Sequence, residues 1–232
     1  MIDVKCLKIE AYQETACYKK PYAFKVAETY PLPPYSTVKG LIHYILQAKQ
    51  FYDMAISVQG DYESFIENYQ TFRFIKGESG TTMPLKVHLL HNVNLLIHLY
   101  TDEEIMRKVY NSILNFPEAL SLGRREDLLT VRKVKFVEFQ EFDLEDEGRY
   151  VLRHNAYVPV IYNLSPTNKR KIKYRLNYKY EVSKSGIRKW TEKIDVYYVE
   201  NGSIFDEEVI YKDDEGDAIF FHKKVEEVRN FG

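Results

Sequence analysis

An α+β fold is predicted by three features of the 232-residue sequence. Apolar residues recur at helical spacing in only two windows, 37–50 and 101–116. Runs of β-prone residues flank each window, so that the elements read strand, helix, strand, strand, helix, strand. Beyond residue 140 short apolar runs separated by turn residues take over, and helical signals become few.

The first strand spans residues 2–12 (IDVKCLKIEAY). Residues 13–35 hold no helical period and contain Pro21, Pro31, Pro33 and Pro34, which makes them an extended loop. Pro33-Pro34 keeps the chain out of helix until Tyr35, and Ser36 or Thr37 then supplies an N-cap oxygen. Leu41, Ile42, Ile45 and Leu46 form the apolar stripe of that first helix. Residues 53–59 read as a second strand ended by Gly60. The stretch 61–86 combines Tyr62, Tyr69, Phe72 and Phe74 with the breaker-rich run Lys76 to Pro84, and predicts a projecting hairpin. Residues 86–100 form the third strand. Thr101 caps the second helix, with Glu104 completing a capping box. Ile105, Val109, Tyr110 and Ile113 give this helix its stripe as far as Pro117, and residues 129–139 return as the fourth strand.

This β-α-β-β-α-β order is the ferredoxin-like arrangement, also used by RNA-recognition modules. Residues 138–147 then carry six acids and no base, which predicts an exposed acidic link over 141–149. Strands at 150–162, 172–182, 194–200, 204–211 and 217–222 compose a smaller β-rich second domain over 150–232.

A hydrophobic content of 45% and an aromatic content of 15% allow a sizeable core and exclude global disorder. Two cysteines, Cys6 and Cys17, are too few for a disulfide framework or a cysteine-based zinc site. The amino terminus lacks the pattern of a signal peptide, and no apolar run reaches the 18–20 residues that span a bilayer. A soluble cytoplasmic protein with no membrane contact is expected.

The net charge of −1 hides strong segregation. Ser165–Lys193 holds ten Lys or Arg against two Glu, and Glu200–Asp217 holds eight acids against one Lys. The basic tract is interleaved with Tyr174, Tyr178 and Tyr180, a pattern that suits a polyanion with bases stacked on rings. It equally suits a solvated hairpin, or a partner for the acidic tract.

The string YPLPPYSTVKGLIH (30–43) opens the first helix. Free backbone amides there attract a phosphate, to which Ser36, Thr37 and Lys39 add hydrogen bonds and charge, while Gly40 admits a close backbone. An ordinarily capped helix accounts for the same residues and is favoured by the chemistry alone. SLGRRED (121–127) places Gly123 beside Arg124 and Arg125 in a tight turn suited to an anion, and suits an ordinary surface turn equally well. The six histidines form no ligand set. His88 and His91 point to opposite faces of a strand, with no acid near them to complete a site. Asp213-Asp214 reads as a solvated turn. No catalytic or metal-binding motif is present, and no cofactor is implied.

These motifs together resemble the Cas-five family, CRISPR-associated RAMP proteins of the type I surveillance complex Cascade. The resemblance rests on YPLPPYSTVKGLI, the aromatic projection and SLGRREDL, covers about residues 1–140, and is most similar in style to type I-B members. It implies a RAMP body with a thumb, and a non-catalytic RNA-binding subunit that caps the 5′ handle of the CRISPR RNA in antiviral defence. Its implied partners are that handle, the Cas-seven backbone subunit and the Cas-eight large subunit. Tyr35, Ser36, Lys39 and Gly40 map onto the helix-entry motif, and Gly123, Arg124 and Arg125 onto the glycine-arginine turn. The thumb would offer Arg73, Lys76 and Lys86 to RNA. One branch of the family, in type I-C systems, cuts precursor RNA without metal through Tyr, Lys and His. Here Tyr44 stands beside His43 and Lys86 beside His88, and neither pair aligns with that branch's motif, which leaves cleavage as the alternative reading. A protein scaffold without RNA contacts is the remaining one.

Overall fold

Alternation along the first strand, β1 (Val4–Ala16), sets up two buried faces. Leu7, Ile9 and Ala11 enter one core, whereas Cys6 packs into another and Lys8 lies buried beside it. A strand buried on both sides must have layers on both sides, and the rest of the chain supplies them. The molecule is known from a computed structural model that describes residues 4–228, apart from 24–25, 77–78, 163–165, 167–170 and 207–208.

The principal elements after β1 are α1 (Tyr35–Ile45), β2 (Ala55–Asp61), β3 (Ser64–Lys76), β4 (Ser79–Tyr100), α2 (Glu103–Ile113) and β5 (Thr130–Asp143). A helical turn α3 (Leu144–Glu147), β6 (Asn155–Pro159), β7 (Ile172–Val182), β8 (Arg188–Val199), β9 (Val209–Asp213), β10 (Ala218–Ile219) and a last turn α4 (Val225–Val228) follow. One sheet runs in the order β7-β8-β6-β2-β4-β1-β5-β9-β10, and all these neighbours are antiparallel.

Local chemistry places several element ends differently from the sequence expectation. Helix α1 begins at Tyr35, with Pro34 as its N-cap and no side-chain cap bond; Ser36 and Thr37 lie inside the first turn. The extended backbone of Pro34 turns its carbonyl to accept from the Thr37 and Val38 amides, so no hydroxyl is needed. Helix α2 is capped by Asp102 rather than Thr101, its carboxylate accepting from the Glu104 and Ile105 amides at 2.9 and 3.3 Å. Strand β2 runs through Gly60, because the Asn94 carbonyl of β4 occupies the space where a Cβ would stand.

Strand β4 serves two structures. Its last part is the central strand of the sheet, between β2 and β1. Its first part pairs with β3 from Ser79↔Lys76 to His91↔Ser64, which makes a long hairpin. Asn92 marks the join with φ +51°, and its side chain accepts from the Tyr12 hydroxyl at 2.6 Å. At about 3.3 Å per residue the 13-residue ribbon spans roughly 43 Å. Leu85, Val87 and Leu89 anchor its base against Cys17 and Ala27. Tyr69 is exposed at the same level, and farther out Arg73, Ile75 and Met83 are exposed.

Most of the second half joins the main sheet; only the short pairing of Tyr150–Val151 with Ile204–Phe205 stands apart from it. Strands β6, β7 and β8 extend the edge at β2, and Tyr157, Leu176, Tyr178, Val196 and Tyr198 share the core of Leu7 and Ile9. Nor is 141–149 simply a link: residues 141–143 finish β5, and Leu144 is buried in α3. After β9 the chain crosses behind β1 and β2. Gln59 donates to the Ala218 carbonyl at 2.6 Å, the Phe220 amide to Ser57 Oγ at 3.0 Å, and the His222 amide to the Ile56 carbonyl at 3.2 Å.

That crossing is held by a buried charge cluster. Lys8 Nζ donates to Asp213 at 2.6 Å, Asp217 at 2.6 Å and Glu215 at 2.8 Å, while His98 Nε2 lies 3.1 Å from Asp213. Burial alone would lower the Lys8 pKa; the hydrogen bonds to the three carboxylates outweigh it and raise the pKa. Asp213, expected in a solvated turn, is therefore buried, while Asp214 and Glu215 stay exposed: a buried ammonium must find anions, and the end of β9 and the turn after it carry them. The carboxylates of Asp213, Glu215 and Asp217 converge as a metal site would, but the Lys8 ammonium occupies their centre. Lys8→Met should destabilise the fold by about 3–5 kcal/mol, because it leaves buried carboxylates without their cation. Urea unfolding measures this, and a loss of less than about 1 kcal/mol, the scale of a surface pair, would contradict the assignment.

Candidate nucleic-acid interface

The structure separates the residues of the helix-entry motif. Tyr35 is wholly buried, its ring 4.6 Å from that of His222 and 6.2 Å from that of Tyr157. Lys39 is also buried. Its amine donates to the Tyr178 carbonyl and lies 4.3 Å from the Tyr178 ring centre and 4.8 Å from that of Phe51. Tyr178 has no cross-strand partner, because a bulge interrupts the β7–β8 register there, and Lys39 serves the carbonyl that the bulge leaves. Neither residue is presented to a phosphate, so both expectations are corrected. Ser36 is half-buried; Gly40 is exposed, with open space over its Cα. The approach that Gly40 admits is therefore not used among the described residues.

The glycine-arginine turn is built around an acid that the sequence reading passed over. Asp127 is fully buried and accepts from the backbone amides of Cys17 and Arg124, both at 2.9 Å. Arg124 closes the turn with a forked contact, Nη2 to Asp127 at 2.6 Å and Nε at 3.1 Å. Its Nη1 reaches Gln70 of the hairpin at 2.9 Å. Burial opposes the charge on this guanidinium, but the hydrogen bond to Asp127 raises its pKa. Gly123 has φ +108°, and a Cβ there would meet Asp127 and the Cys17 carbonyl at 2.9 and 3.0 Å. Buried Gln13 braces the same loop, donating to the Leu122 and Asp127 carbonyls at 2.9 and 3.0 Å. Gly123 and Arg124 thus dock the turn onto the hairpin base, and only Arg125 stands free in solvent. The spacing of Arg124 and Asp127 was the available signal, a cation and an acid three apart across a glycine turn.

Along the hairpin Arg73 is exposed, and the Lys76 side chain lies outside the described residues. Lys86 pairs with Glu67 at 2.5 Å, and His88 Nε2 lies 3.5 Å from the same carboxylate. His91 faces Glu63 at 4.0 Å. The expectation that no acid lies near these histidines is corrected by cross-strand pairing, which sequence distance conceals. His43 has both ring nitrogens occupied, Nδ1 with the Lys39 carbonyl at 2.9 Å and Nε2 accepting from the Tyr52 amide at 3.0 Å. Burial lowers its pKa. Tyr44 donates to Glu118 at 2.6 Å. The pairs His43–Tyr44 and Lys86–His88 lie on different elements, α1 and the hairpin, with different partners.

The family described as CRISPR-associated protein (Cas_Cas5) matches residues 6–194, most of the chain. This chain belongs to the Cas5 family. The Cas5 chain described here is also similar in fold to solved CRISPR proteins. A crystal structure of a CRISPR protein from Archaeoglobus fulgidus aligns with a TM-score of 0.56 at 9% identity, covering 95% of this chain and 100% of that one. A chain of a CRISPR RNA-guided surveillance complex aligns with a TM-score of 0.58 at 12% identity, covering 86% and 91%. No curated protein matches at the sequence level. Among the described residues of this Cas5 chain no helix is long and apolar enough to cross a membrane.

Two variants separate structure from recognition in the turn. Arg124→Ala should cost about 3–5 kcal/mol, because it strips the cation from buried Asp127. Arg125→Ala should leave stability within about 0.5 kcal/mol. Chemical denaturation of both distinguishes them, and equal stabilities would refute the docking role of Arg124. Lys39 generates a pH effect of known sign. Burial lowers its pKa from 10.5 to about 8, so between these values the unfolded chain holds more protons than the folded one. The stability of the native protein relative to Lys39→Met should therefore rise as pH increases from 8 to 10. A flat difference in Tm across that range would exclude a depressed Lys39.

Proposed function

We propose that this Cas5 chain is a non-catalytic RNA-binding subunit of a CRISPR effector complex, acting in the cytoplasm and capping the 5′ handle of the CRISPR RNA. The observation that carries the reading is the family match over residues 6–194 on a fold with a long, exposed hairpin. The order β5-β1-β4-β2, with helices following β1 and β4, supports a ferredoxin-like reading of the amino-terminal half. The likeness to a chain of an RNA-guided surveillance complex supports the assembly context. In this reading the hairpin is the thumb. Arg73 and Arg125 meet phosphate, splayed bases stack on exposed rings such as Tyr69, and the Cas-seven and Cas-eight subunits flank the cap.

Metal-independent cleavage needs a base free to take the 2′-hydroxyl proton and a cation on the scissile phosphate. His43 is engaged at both nitrogens, and Lys86 is neutralised by Glu67, so no observation favours that chemistry over binding. Purified protein incubated with end-labelled handle RNA in EDTA tests the proposal on native and denaturing gels. The expected result is a handle-dependent shift with the RNA intact. A cut at one defined position would overturn the non-catalytic reading. Absence of a shift, both alone and in the co-expressed complex, would overturn handle binding.

A further inference from the structure

The basic tract and the acidic tract of the second half do not neutralise one another among the described residues. Asp213, Glu215 and Asp217 face Lys8, Lys135 and Arg153. At the base of the β7–β8 ribbon the cations are also taken: Lys173 and Arg175 pair with Asp195 at 3.2 and 2.6 Å, and Lys171 lies 4.0 Å from the Tyr197 ring centre. The outer part differs. Lys184, Arg188 and Lys189 are exposed and make no ion pair among the described residues. A bulge in each strand, at Tyr178 and at Thr191, separates the packed base from this tip. Bulges bend and twist a ribbon, which turns its outer part away from the sheet.

The tip also carries the chain's single tryptophan. Tyr180 pairs across the strands with Trp190, and Val182 with Arg188. Pairs two residues apart lie on one face, so these four side chains form a continuous patch. The rings of Tyr180 and Trp190 meet edge to face at 5.4 Å, and the Arg188 guanidinium lies 4.8 Å from the Tyr180 ring centre. Tyr180, Val182 and Ile187 are 37, 60 and 67% exposed. A half-exposed aromatic pair, with Arg188 over the Tyr180 ring and the exposed, unpaired Lys184 and Lys189 beside it, fits a ligand that offers both flat rings and negative charge. A protein surface would meet the apolar groups but leave several lysines without counter-charge.

We propose that the outer β7–β8 ribbon is a second nucleic-acid contact, which takes single-stranded nucleic acid by stacking a base at Trp190–Tyr180 and holding its phosphates at Lys184, Arg188 and Lys189. This contact is distinct from Arg73 and Arg125, and stands whether or not those residues hold a handle.

Trp190 makes the site directly observable. The full chain at low salt is titrated with oligo(U) and oligo(dT) of roughly 12 nucleotides, within the usual site size. Trp190 emission is recorded alongside the anisotropy of a label on the oligonucleotide. Saturable quenching that weakens with salt is expected; oligo(U) alone assigns RNA, oligo(dT) alone DNA, and each supports the proposal. Tyr180→Ala should weaken the quenching isotherm by about 5- to 100-fold. Lys184→Glu with Lys189→Glu, both exposed and outside the core, should weaken it as strongly and flatten its salt dependence. Arg73→Ala with Arg125→Ala should leave the quenching unchanged while reducing the handle shift, so the two readings fail separately. Unchanged Trp190 emission while the labelled oligonucleotide binds would overturn the proposal. So would equal quenching by dextran sulfate, which has charge and no bases, or tip variants with native affinity.

Discussion

The ammonium of Lys8 holds together residues more than 200 positions apart. It sits on the central strand pair, on the face away from α1 and α2, with Asp213 buried beside it and Glu215 at the solvent edge. Three carboxylates from one short turn meet it, and that turn is itself organised by Asp213, whose second oxygen accepts from the Glu215 and Asp217 amides at 3.0 and 2.8 Å. With the turn fixed there, β10 and the segment after it must cross behind β2. The buried positions of Phe220, Phe221 and His222 follow from that crossing. A buried cation left without anions is so unfavourable that the cluster fixes which face of the sheet the last part of the chain covers. Its net worth relative to an apolar core is a separate matter, and the arrangement speaks for specificity of closure.

The same principle operates on a smaller scale at the hairpin base. Asp127 is buried, so its oxygens must be saturated, and the Cys17 and Arg124 amides with the Arg124 guanidinium saturate them. Because Arg124 also reaches Gln70, the loop after α2 and the root of the ribbon become one unit. A ribbon of two strands is marginal on its own in water. This one is rooted by Leu85, Val87 and Leu89 below and by Arg124 at its side, which lets the outer part stand clear of the body.

These clusters also decide which charges remain for partners. Lys8, Lys39, Arg124 and Lys173 are each consumed by a carboxylate, a carbonyl or a ring. Among the described residues Arg73, Arg125 and, at the tip of the β7–β8 ribbon, Lys184 and Lys189 make no ion pair. A chain with nearly balanced charge thereby presents positive groups at two ribbons, each carrying exposed aromatic residues. These cations lie on projections and an exposed turn rather than at the helix entry.

The sequence by itself determined the order of the principal elements through residue 140, the existence of the first hairpin, the extent of β7, and the separation of basic from acidic tracts. Those features are written in local periodicity and in glycine and proline placement, which act over a few residues. Only the tertiary structure decided that Tyr35 and Lys39 are interior, because nothing local says that a β7 bulge will offer Lys39 a carbonyl. It alone decided that Arg124 belongs to Asp127 and Gln70, that Asp213 is buried, and that the second half shares the first half's core. Burial and pairing across the sheet depend on which distant strands become neighbours, and that is a property of the closed fold rather than of any segment.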